Sequence, residues 1–319
     1  MLTDKETIRF LGSVLGILAL ASIAGALLAR SVRAARAREL VRIVNTKLRL
    51  WWVMCAVFAV AMLTGGLGSI IVFGLTSFML LREFITITPT RRGDHHALFW
   101  VFFVILPMQY YLLAIEWYGL FIILVPVYAF LFLPLRMAVA GDPDRFMERA
   151  AKIQWSLMLC VYCVSHAPAL LKLDIPGHEG AGARLLFFLV LVVQVNDLVH
   201  EFVDRWCGSK PYAPRLTEER TWQGLLAGAA VSTGFGTVLF WGTPFSVSQA
   251  AAMSLLAALL GTGGKLCYHA IRRDRQGKGV VVVESYRSMM ERVISLCVAA
   301  PIFFHMTRYY FVAGPLKMF

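Results

Sequence analysis

The sequence predicts an all-α, polytopic integral membrane protein with about ten transmembrane helices. Of its 319 residues, 59% are hydrophobic and only 16% are charged, and the mean hydropathy is +0.68. Soluble domains carry about 25% charged residues. Ten segments are apolar over lengths that approach or reach the roughly 20 residues a helix needs to cross a bilayer. With no visible repeat or linker, we interpret 1–319 as a single membrane domain.

The predicted spans are, in chain order, 8–28, 51–63, 67–81, 98–114, 117–138, 155–171, 185–199, 222–241, 247–268 and 293–312. The first follows the weakly basic flank MLTDKETIR and has no small-residue cleavage site after it, so we expect a retained helix rather than a secretory signal. It is followed by a basic loop, and together these form an N-terminal unit, 1–50. The second and third spans are short. They could equally form one re-entrant hairpin or a tilted pair around Gly65, Gly66 and Gly68.

Basic residues predict how the spans are oriented, because cytoplasmic loops retain an excess of Lys and Arg. With the N-terminus outside, the inner loops are 30–50, 82–97, 136–154, 200–221 and 265–292, and they hold 25 of the 31 basic residues. The sequence therefore predicts ten spans with both termini outside. The membrane that we expect is a bacterial inner membrane. The net charge of +12 then indicates contact with anionic membrane lipids, and no nucleic-acid partner is needed to explain it.

Glycines cluster in the ninth span, where residues 261–265 read GTGGK. A nucleotide-binding loop of this kind needs Ser or Thr after the lysine, and Leu266 follows here. Glycines within an apolar helix instead favour close helix packing.

Two polar stretches stand out near the seventh span. In VVQVNDLVHEF, residues 192–202, Asn196 and Asp197 either mark a functional site inside the membrane or show that the span ends at Val195. The following loop carries Lys210 and Arg220 among glycines and prolines. Such a loop could hold phosphate groups, or it could simply be a basic cytoplasmic loop.

These loops resemble the phosphatidate cytidylyltransferase (CDP-diacylglycerol synthase) family of polytopic membrane enzymes. The family pattern has an Asp at the end of a span, then Gly-Lys-x-x-x-x-Pro, then Ser-Pro-x-Lys-Thr-x-Glu-Gly. Its final loop reads Ser-x-x-Lys-Arg, then Lys-Asp, then Gly-His-Gly-Gly-x-x-Asp-Arg-x-Asp. The resemblance is clearest over 185–312, and the matching positions are Asn196, Asp197, Gly208, Lys210, Pro214, Thr221, Trp222 and Gly224 in the first loop, and Arg272, Arg273, Lys278, Glu291 and Arg292 in the second.

The resemblance implies transfer of a cytidylyl group from CTP to phosphatidic acid, which yields CDP-diacylglycerol and pyrophosphate. It implies Mg²⁺ as cofactor and leaves a homodimer open. The residues it assigns to catalysis are Asp197, Glu291, Arg272, Arg273 and Lys278, with Asp197 and Glu291 as metal ligands. Those it assigns to substrate binding are Asn196, Lys210, Arg220, Thr221 and Arg292.

The final loop departs from the family pattern. Gly279 stands in place of the Asp after the lysine, Ile294 replaces the last Asp, and residues 285–288 replace the Gly-His-Gly-Gly turn. Two of the three implied metal-binding acids are thus absent. Two alternatives to the family reaction stay open: a noncatalytic paralogue that binds lipid or a partner, and an enzyme acting on another prenyl or lipid phosphate.

Overall fold

The computed structural model describes residues 5–32, 34–63, 65–88, 90–178, 180–276 and 288–313. Over these ranges nine helical segments are long and apolar enough to cross a membrane, and the sheet content is a single hairpin. The predicted all-α, polytopic membrane fold is therefore confirmed.

The helices are α1 (Lys5–Ser31), α2 (Ala35–Leu63), α3 (Gly65–Ile87), α4 (His95–Trp100), α5 (Leu106–Ala114), α6 (Tyr118–Ile123), α7 (Phe130–Val139), α8 (Phe146–Leu157), α9 (Val164–Leu170), α10 (Ala181–Cys207), α11 (Trp222–Val238), α12 (Val247–Gln276) and α13 (Met289–Arg308). Short π-helical segments join α4 to α5, α6 to α7 and α8 to α9, at Val101–Ile105, Leu124–Ala129 and Met158–Cys163. Each of these three pairs therefore forms one rod, and these rods correspond to the fourth, fifth and sixth predicted spans.

The basic stretch 30–50 is mostly helical, whereas the sequence predicts a loop. It belongs to α2, which starts at Ala35 and runs antiparallel to α1. The Trp52 indole N–H donates to the Ser22 hydroxyl (3.0 Å), and the Asn45 amide donates to the Gly25 carbonyl (3.1 Å).

The charged half of α2 packs beside the last turns of α10, which continue well past the predicted end of the seventh span. Lys47 pairs with Glu201 (3.2 Å), and Arg205 pairs with Glu39 (2.6 Å). Opposite charges on the two helices thus extend both of them beyond the apolar region. A local hydropathy pattern cannot anticipate this pairing.

The second and third predicted spans lie in two long helices, α2 with 29 residues and α3 with 23. These lengths favour the tilted pair over a short re-entrant hairpin. Residues 51–63 form the apolar half of α2, which is not among the nine candidate spans. Ten spans with both termini outside require this half-helix to cross, and that topology stays a prediction.

The centre of the bundle is α10, which packs against α2, α9, α11, α12 and α13. Its interior side chains, such as Phe188 and Leu189, are fully buried. The outer helices instead expose large apolar side chains, including Leu20 of α1 and Leu131 of α7. Helices that are apolar on their outer faces are expected where lipid is the solvent.

Glycines allow the helices around α10 to approach closely, as the sequence predicted for GTGGK. A Cβ atom on Gly264 would lie 2.8 Å from Cγ2 of Val298, so α12 and α13 touch there. A Cβ atom on Gly224 would collide with the Asp204 carboxylate, so α11 lies directly against α10. These two contacts bring α12 close to α13 and α11 close to α10.

A two-stranded hairpin connects α10 to α11. Strands β1 (Pro211–Ala213) and β2 (Thr217–Thr221) are antiparallel, with Pro211 opposite Thr221 and Ala213 opposite Thr217. The hairpin folds the basic loop 208–221 back over the end of α10.

Candidate functional site

Asp197 lies at the meeting point of α10, α12 and α13, and its side chain is 4% exposed. Its Oδ2 atom pairs with the Lys265 ammonium at 2.8 Å. The Ser295 hydroxyl donates to the same carboxylate, 2.9 Å from Oδ2 and 3.2 Å from Oδ1. The acid that the sequence singled out therefore ties three helices together through charge-assisted contacts. The helix that carries it continues to Cys207.

Glu291 lies on α13 one helical turn before Ser295, so the two predicted acids share one region of the site. Arg272 of α12 donates to Glu291 Oε2 at 3.0 Å, and the His269 ring lies 4.0 Å from Oε1. Lys265, His269 and Arg272 are spaced at i, i+4 and i+7 and therefore share one face of α12. That spacing was a readable signal in the sequence, and it was missed for Lys265.

The start of α13 is anchored to α3 by Glu83. The Ser288 hydroxyl donates to Glu83 Oε1 at 2.5 Å, and the Met289 backbone N–H donates to Oε2 at 2.9 Å. Ser288 also caps α13, because its oxygen accepts from the Glu291 N–H at 3.1 Å. A carboxylate at a helix N-terminus satisfies orphan N–H groups and the helix dipole. Glu83 thus positions the helix that carries Glu291.

Asp204, which no sequence motif singled out, organises the basic loop. It accepts from the Thr221 N–H (3.0 Å) and hydroxyl (2.7 Å) and pairs with Arg220 (3.3 Å). Thr221 in turn caps α11 by accepting from the Gly224 N–H at 3.2 Å. Two residues predicted to bind substrate therefore have defined structural partners.

Arg220 stays charged in this setting. Its burial acts to lower the pKa of the guanidinium, but the surrounding carboxylates of Glu201, Asp204 and Asp197 outweigh it and raise the pKa above its usual value. The loop therefore holds a permanent positive charge beside the end of α10.

The remaining predicted residues fall in different places. Asn196 joins α10 to α12, because its amide donates to the Ala258 carbonyl and the Thr262 hydroxyl. Lys210, which precedes β1, and Arg273, near the end of α12, both have exposed side chains. Lys278 lies outside the described residues.

An apolar cavity of about 510 Å³ opens beside Asp197. Its walls come from α1, α2, α3, α10, α11 and α13 and are almost entirely aliphatic or aromatic. The charged side chains that line it are Lys47, Asp197, Glu291 and Arg292. A cavity of this size and character, with charged groups gathered among the motif residues, is suited to a ligand with an apolar tail and an ionic head.

Within the described ranges, the donor set does not fit a resident Mg²⁺ ion. Among the residues that the structure describes, no three His, Cys, Asp or Glu side chains are grouped to hold a metal. Asp197 and Glu291, the two predicted ligands, are each already paired with a cationic side chain of α12. Their negative charge is thus balanced from within the protein.

The chain is similar to proteins of one family over most of its length. The model of the cytidylyltransferase family matches residues 45–310. The uncharacterized protein YnbB of Escherichia coli K12 is 28% identical over 274 residues, which are 83% of this chain and 88% of that protein.

More distant similarity extends to named enzymes. The phosphatidate cytidylyltransferases of Brucella abortus and Brucella suis are each 26% identical over 137 residues, which are 40% of this chain and 48% of each enzyme. The family model covers far more of the chain than these matches do. The chain therefore belongs to the cytidylyltransferase family, as a divergent member.

Proposed function

We propose that this protein transfers a cytidylyl group from CTP to a lipid phosphate of the phosphatidic acid type. The observation that carries the proposal is the apolar cavity that meets Lys47, Asp197, Glu291 and Arg292. A lipid phosphate has the matching division, with acyl chains for the cavity wall and an anionic head for the cationic groups. Membership of the family supplies the reaction class.

The chemistry is a displacement at phosphorus. An oxygen of the lipid phosphate attacks the α-phosphorus of CTP, the bond to the β-phosphate breaks, and pyrophosphate leaves. Lys47 and Arg292 line the cavity where the lipid head would lie. The exposed Lys210 and Arg273 are available for the triphosphate, and such cationic groups stabilise charge that develops on transferred and departing oxygens. CTP is cytoplasmic, so the motif loops would face the cytoplasm, in a bacterial inner membrane.

The ion pairs favour one second candidate, a noncatalytic lipid-phosphate binder. Asp197 forms an ion pair with Lys265, and Glu291 forms one with Arg272. The final loop also lacks the aspartates that the family motif carries. This candidate predicts that phosphatidic acid raises the thermal stability of the protein while CTP does not.

The deciding experiment supplies labelled CTP and phosphatidic acid to purified protein in lipid nanodiscs, with and without Mg²⁺. We expect a labelled CDP-lipid and pyrophosphate in equal amounts, and a loss of at least tenfold in Asp197→Asn. Asp174→Asn is the matched control, because Asp174 is exposed before α10 begins and lies more than 20 residues away in sequence. A parallel panel of prenyl and other lipid phosphates identifies the acceptor.

If no acceptor yields a CDP-lipid above the level in empty nanodiscs, the enzymatic proposal is wrong. Stabilisation by phosphatidic acid alone would then support the noncatalytic binder. Stabilisation by CTP without product would argue against that binder as well.

A further inference from the structure

Lys265 is a buried lysine in the middle of the apolar helix α12. Its side chain is 8% exposed, and its ammonium lies 2.8 Å from Asp197 Oδ2. Burying an ammonium is costly unless a partner of opposite charge compensates for it. Asp197 is that partner, and it is also a residue that the family resemblance assigned as a metal ligand.

The ammonium occupies the position that a metal on Asp197 would need. Mg²⁺ binds carboxylate oxygens at about 2.0–2.1 Å in a near-ideal octahedron. Oδ2 already receives Lys265 and Ser295, and the Ser295 hydroxyl also lies within 3.2 Å of Oδ1. A divalent ion on the same carboxylate would stand beside a buried positive charge, and the repulsion would weaken its binding.

Glu291 offers no alternative position for an ion. Arg272 donates to its Oε2 atom, and His269 faces its Oε1 atom. Both candidate metal ligands thus obtain their positive partners from one face of α12. The pattern is consistent along the helix, since Lys265, His269 and Arg272 lie on successive turns.

We infer that the Lys265 ammonium is the resident cation of Asp197 and takes the place of a divalent metal ion there. Any Mg²⁺ used by the protein then arrives on the phosphates of CTP. The role of CTP-bound Mg²⁺ in catalysis rests on the proposed function. The inference that Lys265 replaces a metal ion at Asp197 concerns ion binding alone and does not rest on it.

The test measures binding of Mn²⁺ alone by electron paramagnetic resonance, on chelator-treated full-length protein in zwitterionic nanodiscs. The wild type should show no saturable Mn²⁺ site that depends on Asp197, so the wild type and Asp197→Asn should bind Mn²⁺ equally. Lys265→Ala should create one saturable site, with a Kd at least tenfold below that of any residual Mn²⁺ binding to the wild type, and the double variant with Asp197→Asn should lose this site. Mn²⁺ should also raise the melting temperature of Lys265→Ala and leave that of the wild type unchanged.

Lys152→Ala is the matched control. Lys152 pairs with Glu148 at 2.9 Å, four residues earlier on α8, so its removal also leaves a carboxylate with one partner fewer. This variant should gain no Mn²⁺ site that depends on Asp197. Lys265→Gln serves as a second variant of similar size, and circular dichroism checks that each variant is helical.

Two results would overturn the inference: a saturable Mn²⁺ site in the wild type that Asp197→Asn abolishes, or folded Lys265 variants that gain no site. If both Lys265 variants are recovered unfolded, the wild-type comparison with Asp197→Asn decides alone. None of these readouts needs turnover. A protein that makes no CDP-lipid can still confirm the inference, and an active one can still refute it.

Discussion

Breaking the pair between Lys265 and Asp197 from one side should destabilise the protein far more than removing both charges. At 2.8 Å the attraction is worth about 6 kcal/mol for an effective dielectric constant of about 20. Desolvation of the two buried ions consumes much of that gain. When only one partner is removed, the other charge stays buried without compensation, at a cost of about 3–5 kcal/mol.

The change is Lys265→Met, which keeps most of the volume of the side chain, and Asp197→Asn, which keeps its shape. We expect each single variant to lose about 3–5 kcal/mol of unfolding free energy and the double variant to lose much less than their sum. The amide that Asp197→Asn introduces can still accept a hydrogen bond from Ser295 in the double variant, which limits the residual cost.

The assay is a double-mutant cycle on the four proteins, with reversible unfolding by denaturing detergent in mixed micelles followed by circular dichroism. The coupling free energy between the two sites is the quantity of interest, because it removes effects that belong to one side chain only. Additive losses, with a coupling near zero, would refute the reasoning that the two charges compensate each other within the bundle.

Two further predictions concern the packing of α13. Gly264→Leu should cost about 1–3 kcal/mol of unfolding free energy, because its Cβ atom would meet Val298. Gly263 faces open space, so Gly263→Ala should be neutral or stabilising in the same unfolding assay. Equal losses in the two variants would contradict the packing argument. Glu83→Ala should leave the Met289 and Met290 N–H groups at the start of α13 without their carboxylate acceptor and cost about 1–3 kcal/mol, with faster hydrogen exchange there. Unchanged exchange at the start of α13 would contradict the anchoring role of Glu83.

The membrane class and most spans could be predicted because hydropathy acts locally. A helix in lipid satisfies its backbone internally and needs apolar side chains over its own length, whatever lies beside it. Most of the helical segments follow the predicted spans closely for this reason. The boundaries at α2 and α10 could not be predicted, because Lys47 and Glu201 extend those helices by pairing with each other.

In the candidate site, too, some residues could be predicted from the sequence and others could not. Asp197 could be found because an acid inside an apolar span is rare and costly, so it draws attention without any knowledge of its neighbours. Lys265 drew attention only as part of a rejected nucleotide motif, and Asp204 drew none. Their roles depend on contacts with residues distant in the sequence. Lys265 pairs with Asp197, 68 residues earlier, and Asp204 accepts a hydrogen bond from Thr221.

The sequence by itself determined that the chain is a helical membrane protein, and it predicted a functional site around Asp197 and the basic loops. Composition and local period were sufficient, since both reflect the solvent that each helix meets. Only the tertiary structure decided which charges compensate each other. It placed Lys265 on Asp197 and Arg272 on Glu291, the two acids that the family resemblance had assigned as metal ligands. The physical reason is that a buried charge takes its partner from whichever helix packs against it, and glycine contacts such as Gly264 with Val298 determine that packing.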